Sequence, residues 1–193
     1  VGGGTQRGGP SLGWRSLREA VPANATYAFY MHTSTEVSAA ARSRSQVPPS
    51  SSTAASVNVL QDALGFDITN PASAKAAGLD VDGETLVLGI HGAPLLIGEV
   101  SDPRAFARTL DAALARHPEI EVAHHDVAGT DFRRVTISGP YAIDVGLRGG
   151  YYFARLSVPS EMLNVSDREM AAVFHGPADG QGFWETEAGA ALQ

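Results

Sequence analysis

Asp80 and Asp82 stand one residue apart in the stretch GLDVDGE over residues 78–84, directly ahead of the apolar run TLVLGI. Carboxylates at that spacing followed by Gly83 resemble part of a calcium loop, because hard cations take oxygen ligands from alternate positions of a tight turn. With Gly83 set at the loop's glycine position, the first and last ligand positions fall on Gly78 and Gly89, so two carboxylates are missing. A turn reading uses every residue. Gly78 ends a helix, Asp80 and Asp82 make an Asx-type turn, Gly83 takes a positive φ and Glu84 opens a strand.

The densest polar group is HHD at 124–126, followed by Arg133 and Arg134. On a strand His124 and His125 point to opposite faces, whereas His124 and Asp126 share one. That pair could serve metal binding or hydrolysis if a neighbouring strand supplied another ligand. The competing expectation is a solvated face on which Asp126 or Asp131 pairs with an arginine; protonation of the histidines would then make the surface pH-sensitive. A third group is aromatic. Tyr151 and Phe153 would share one face of a strand and Tyr152 the other, near Tyr141. They offer either a surface for a protein partner or a core face with one tyrosine left over.

Other chemistries have little footing. There is no Gly-x-Ser-x-Gly, His-Glu-x-x-His or Walker loop. With Cys 0, thiol catalysis, thiolate zinc sites and disulfides are excluded. His32 and His91 would end the first two strands, which a ferredoxin-like sheet holds roughly 10 Å apart, too far for an easy joint metal site. No catalytic residue and no cofactor is assigned.

The elements that must position these groups follow from periodicity. Residues 1–13 read as a flexible Gly-rich linker and 14–193 as one domain with a mobile Pro/Ser-rich loop at 42–53. Trp14, Leu17 and Val21 suggest a short helix, and the alternation in 26–33 suggests a strand. A helix from Thr53 carries Val57, Leu60 and Leu64 and stops at Gly65; a short one over 70–78 starts at Asn70-Pro71. A β-hairpin follows with Gly92 in its turn, then the clearest helix, over 101–117, with Ser101 or Asp102 as cap. Strands at 120–127, 131–138, 141–147 and 151–158 come next, and helices near 166–174 and 183–193 close the chain. The expected fold is α+β and two-layered, a ferredoxin-like βαββαβ segment extended by a three-stranded antiparallel meander.

With Asp+Glu 21 against Lys+Arg 14, the net charge of −7 disfavours nucleic acid and anionic membranes as partners. No apolar run approaches the ~20 residues that span a bilayer. Lys75 is the only lysine, a bias suggesting a GC-rich genome. The start at Val1 reads as a chain trimmed after an anchor or leader, or as a cloning boundary.

The stretches SLREAVPANATYAFYMHTS, LGFDITNPASAKAAGLDVDGETLVLGI and GFWETEAGAAL resemble segments of the DUF3352-like family of bacterial extracytoplasmic proteins of unknown function. The resemblance implies an exported or lipid-anchored α+β protein, with the anchor upstream of Val1, and brings no catalytic residues. It also implies that the chain could be the first module of a longer protein. The sequence therefore leads to a non-enzymatic extracytoplasmic module working through protein–protein contact at the envelope or cell surface. The alternative is a metal-binding protein or hydrolase using His124 and Asp126.

Overall fold

The computed structural model describes residues 11–31, 64–67, 70–91, 93–116, 121–138, 141–157, 165–176, 182–186 and 189. Residues 1–10 of the expected linker over 1–13, the loop at 42–53 and the helix from Thr53 up to residue 63 lie outside these residues; within 11–13, Gly13 N–H donates to the Phe174 carbonyl, the Ser11 carbonyl accepts from Arg148 and Leu12 packs on the core, so this part is held against the domain. The described chain is a mixed α+β protein built on an antiparallel sheet of seven strands. The strands are β1 (Ala25–Met31), β2 (Thr85–Ile90), β3 (Ala93–Glu99), β4 (Val122–Val127), β5 (Thr130–Ser138), β6 (Tyr141–Arg148) and β7 (Tyr151–Ser157). Among the described residues three helices are complete enough to bound: α1 (Pro71–Ala76), α2 (Pro103–Ala115) and α3 (Asp167–His175).

The spatial order is β1-β2-β3-β7-β6-β5-β4. Two runs of consecutive antiparallel neighbours, β1 to β3 and β4 to β7, meet where β3 pairs with β7. This differs from the ferredoxin-like order, in which the first strand lies parallel beside the third. Here β7 fills that place, from Leu95↔Arg155 to Glu99↔Tyr151, and β1 is left beyond β2 at the edge. Tight turns enforce the antiparallel runs. Ala128–Gly129 and Gly149–Gly150 form two-residue connections with every φ positive, the geometry that matches strand twist.

The sheet also departs from the expected two layers, because apolar side chains cover both faces. On one, Leu86, Leu88, Ile90, Leu95, Ile97, Phe132 and Phe153 pack with Met170, Val173 and Phe174 of α3 and with Trp14 and Leu17. On the other, Val135, Ile143, Val145 and Tyr152 pack with Phe106 and Leu110 of α2 and with Leu64 and Phe66. Central strands apolar on both sides, such as TLVLGI, are what such double cover demands.

The helices begin where side chains meet their first free N–H groups. Asn70 accepts from Ala72 and Ser73, and Asp102 from Arg104 and Ala105, each with proline in the first turn. Ser166 and Glu169 form a capping box on α3. The short segment Leu17–Ala20 is 3-10 rather than α-helical, with Leu17 and Ala20 buried.

Close packing gives one test of this arrangement. A Cβ at Gly98 would overlap the ring of Tyr152, which is 2% exposed, whereas one at Gly89 would overlap the half-buried ring of Tyr27 at the sheet edge. The buried ring has nowhere to go. Gly98→Ala should therefore cost about 1–3 kcal/mol in urea denaturation, and Gly89→Ala clearly less.

Candidate functional site

The aspartates of GLDVDGE form a turn. Asp80 Oδ1 accepts the N–H of Asp82 at 3.1 Å, and Gly78, at φ +87°, ends α1 while its carbonyl accepts from Asp102 at 2.9 Å. Gly83 departs from expectation, since it is not among the glycines with positive φ. It is needed for space: a Cβ there would overlap Glu99 Oε2, which accepts the N–H of Glu84 at 3.0 Å. Glu84 in turn accepts from the Tyr30 hydroxyl and from the N–H of Leu17, and Glu99 accepts from the Tyr151 hydroxyl at 3.1 Å. Burial and these neighbouring carboxylates push both phenols far up, so they stay protonated donors. The acids beside the turn thus tie β1, β2, β3 and β7 together.

The HHD group splits as strand alternation requires. His124 is exposed, with Nδ1 3.0 Å from Asp131 Oδ2, while Asp126 accepts the N–H of Gly129 at 3.0 Å and closes its own hairpin. His124 and Asp126 share a face but each has a separate mate. Among the described residues no three His, Asp or Glu side chains gather around one point. Arg133 pairs with Asp111 of α2.

His125 turns to the opposite face and joins a network that sequence reasoning missed. In the sheet register Arg134 lies opposite Asp144, and Asp144 opposite Arg155. Asp144, fully buried, takes Arg134 in a two-pronged pair at 2.7 and 2.8 Å and the Nε of Arg155 at 2.8 Å. Arg155, 2% exposed, donates also to the carbonyl of Val165 and to Asp167 at the start of α3, each at 2.8 Å. His125 Nε2 lies 3.1 Å from the same Asp167, its ring beside Phe132. The network fastens α3 to the sheet, with Asp144 shared between two guanidiniums and Asp167 between Arg155 and His125. Its signal in the sequence was a single charge in the middle of each apolar run, Asp144 in YAIDVGL and Arg155 in YYFARLSV. Which strands are neighbours was not readable there.

Burial pushes the Asp144 carboxyl up, but the hydrogen bonds and charges of Arg134 and Arg155 outweigh it and hold it below the ordinary range. The same balance, with Arg155 and His125 as partners, lowers Asp167. Carboxyls lowered on folding bind fewer protons in the native state than in the unfolded chain. Their stabilisation is therefore complete above about pH 4 and is lost as pH falls through the native values. Asp167→Asn should remove part of that acid limb, seen as a shallower fall of unfolding free energy below about pH 4 and little change of slope above it.

The aromatic group at 151–153 neither forms a partner surface nor leaves one tyrosine over: both faces are packed. β7 is a central strand, so Tyr152 stacks on Phe106 at 5.6 Å on one side, and Phe153 packs edge-on against Phe174 at 4.9 Å on the other. Tyr151 meets Trp14 at 4.9 Å. The cleft of about 630 Å³ between the N-terminal segment and residues 182–185 is lined by groups that engage one another. Trp184 donates to the Arg18 carbonyl at 2.9 Å, and the Arg18 guanidinium sits 5.0 Å over its ring.

Among the described residues the sheet ends in two edge strands, β1 and β4, and the two differ. β4 is guarded by His124, His125 and Asp126, charges and polar groups of the kind that keep edges apart. β1, ATYAFYM, carries no charge; Ala28 faces the core, while Phe29 is 59% exposed beside Tyr27, with ring centroids 5.6 Å apart. Tyr27 and Phe29, two residues apart on the strand, are thus on its outer side.

Compared with protein-family models, curated proteins and solved structures, the chain matches none. No described helix is long and apolar enough to cross a membrane.

Proposed function

We propose that this chain is a non-enzymatic extracytoplasmic module that acts through protein–protein contact at the bacterial envelope or cell surface. The observation that carries the reading is the uncharged edge strand β1 with Phe29 exposed beside Tyr27. Exposed aromatic rings on an uncharged strand offer an apolar surface to another protein. The distribution of acids and bases agrees. Asp80, Asp126, Glu84, Glu99, Asp144 and Asp167 are each occupied by an internal donor, so the groups best suited to chemistry serve the fold. The extracytoplasmic placement rests on the resemblance to the DUF3352-like family.

The test is a photo-crosslinking amino acid placed at position 29 or 124 of the native gene product in intact source cells. The expected result is a discrete protein adduct from position 29, none from 124, and labelling of the protein by a membrane-impermeant reagent. Adducts at neither position, or labelling only after lysis, would overturn the reading.

A further inference from the structure

We infer that the cavity between α2 and the β5–β6 pair binds a free α-amino acid with an apolar side chain. This goes beyond the contact reading and does not rest on it. The cavity measures about 230 Å³. Buried Phe106 and Leu110 of α2 and Val145 of β6 line it with half-buried Leu147, and Asp131 and Arg133 of β5 line it with their charges. An apolar wall with a few placed polar groups is the usual make-up of a small-molecule site, and a volume below that of drug-sized sites sets the occupant's size. Both α2 and β5 lie wholly within the described residues.

The two charges stand two residues apart on β5, so they share a face and are about 7 Å apart along the strand. Arg133 gives one Nη to Asp111; its Nε and other Nη have no mate among the described residues. Those two N–H groups make the fork that takes a carboxylate side-on. Asp131 has both oxygens beside a single nitrogen of His124, at 3.1 and 3.0 Å, and its side chain is 65% exposed, so it has room for a second donor. Surface pairs of this exposure hold weakly and do not bar a ligand.

Charge decides the head group. A plain monocarboxylate on Arg133 would meet Asp111, Asp131 and, opposite Asp131 in the register, Asp126. An ammonium one carbon from the carboxylate turns Asp131 from a repelling neighbour into an acceptor. A simple amine would use Asp131 and leave the fork of Arg133 empty. The zwitterion uses both, and its side chain enters the apolar part of the cavity.

The test is calorimetric titration with L-leucine, N-acetyl-L-leucine and 3-methylbutylamine, with methyl NMR to place the contact. L-leucine should bind and shift the methyl signals of Leu110, Val145 and Leu147. The two analogues, each lacking one head-group charge, should bind at least about ten-fold more weakly, and Arg133→Gln and Asp131→Asn should each weaken L-leucine by a similar factor. Ala107 also lines the cavity, so Ala107→Phe should fill it and abolish binding. Urea midpoints check that each variant is folded; should Ala107→Phe fail to fold, the two charge variants decide. No methyl shift at millimolar L-leucine, equal binding of the three probes, or undiminished binding by Arg133→Gln would overturn the inference.

Discussion

Asp144→Ala should destabilise the protein by about 3–5 kcal/mol in urea denaturation, enough to unfold a domain of ordinary stability. The carboxylate is wholly buried between two guanidiniums, and its removal leaves Arg155, 2% exposed, without its principal counter-ion. Asp167 and the Val165 carbonyl stay on Arg155, but its buried Nε loses its acceptor, and the cost comes from that unmet, dehydrated donor more than from the lost attraction. That reasoning makes a second expectation. Replacing Arg134, Asp144 and Arg155 together by apolar residues of similar volume should recover most of the loss, because no charge then remains to be solvated. If Asp144→Ala proved nearly neutral, the network would not be the fastening described.

Phe174→Ala should cost a similar amount, about 3–5 kcal/mol. The ring is fully buried, stacked on Phe132 at 6.2 Å, edge-on to Phe153 at 4.9 Å and covered by the Arg148 guanidinium at 4.6 Å. It is the apolar anchor of α3, as Asp167 is its polar one. Arg148 also holds the carbonyls of Ala128 and Ser11, so the cavity would loosen a contact reaching the N-terminal segment. Phe174→Leu, which refills much of the space, should recover well over half of the loss. Equal losses for both variants would mean that ring contacts and cation–π attraction, rather than cavity volume, dominate there.

The two substitutions bear on what the sequence could and could not tell. Local signals were readable. Asn70-Pro71 and Asp102-Pro103 mark helix starts, and Asp80 to Asp82 makes the turn that their spacing suggests, because these depend on residues a few positions apart. The α+β class and the hairpins followed from periodicity. The order of strands did not, because β3 and β7 meet across more than fifty residues and nothing in either strand names its neighbour. The ferredoxin-like expectation failed at that step. Arg134, Asp144 and Arg155 could not be recognised as a network without the register that lines them up. Gly83 shows the same limit on a smaller scale: a glycine before a strand suggested a positive φ, whereas the residue is required by a carboxylate arriving from β3. For Tyr151, Tyr152 and Phe153, alternation gave the faces correctly, but only the strand's central position shows that both faces are covered.

The measurement that bears most directly on the account is amide hydrogen exchange of the native protein, purified and in its own envelope fraction, with zinc or calcium added in parallel. The account predicts slower exchange over residues 25–31 in the envelope fraction, no change over 122–127, and no response to either metal. Unchanged exchange in β1, or metal-dependent protection around His124 and Asp126, would contradict it.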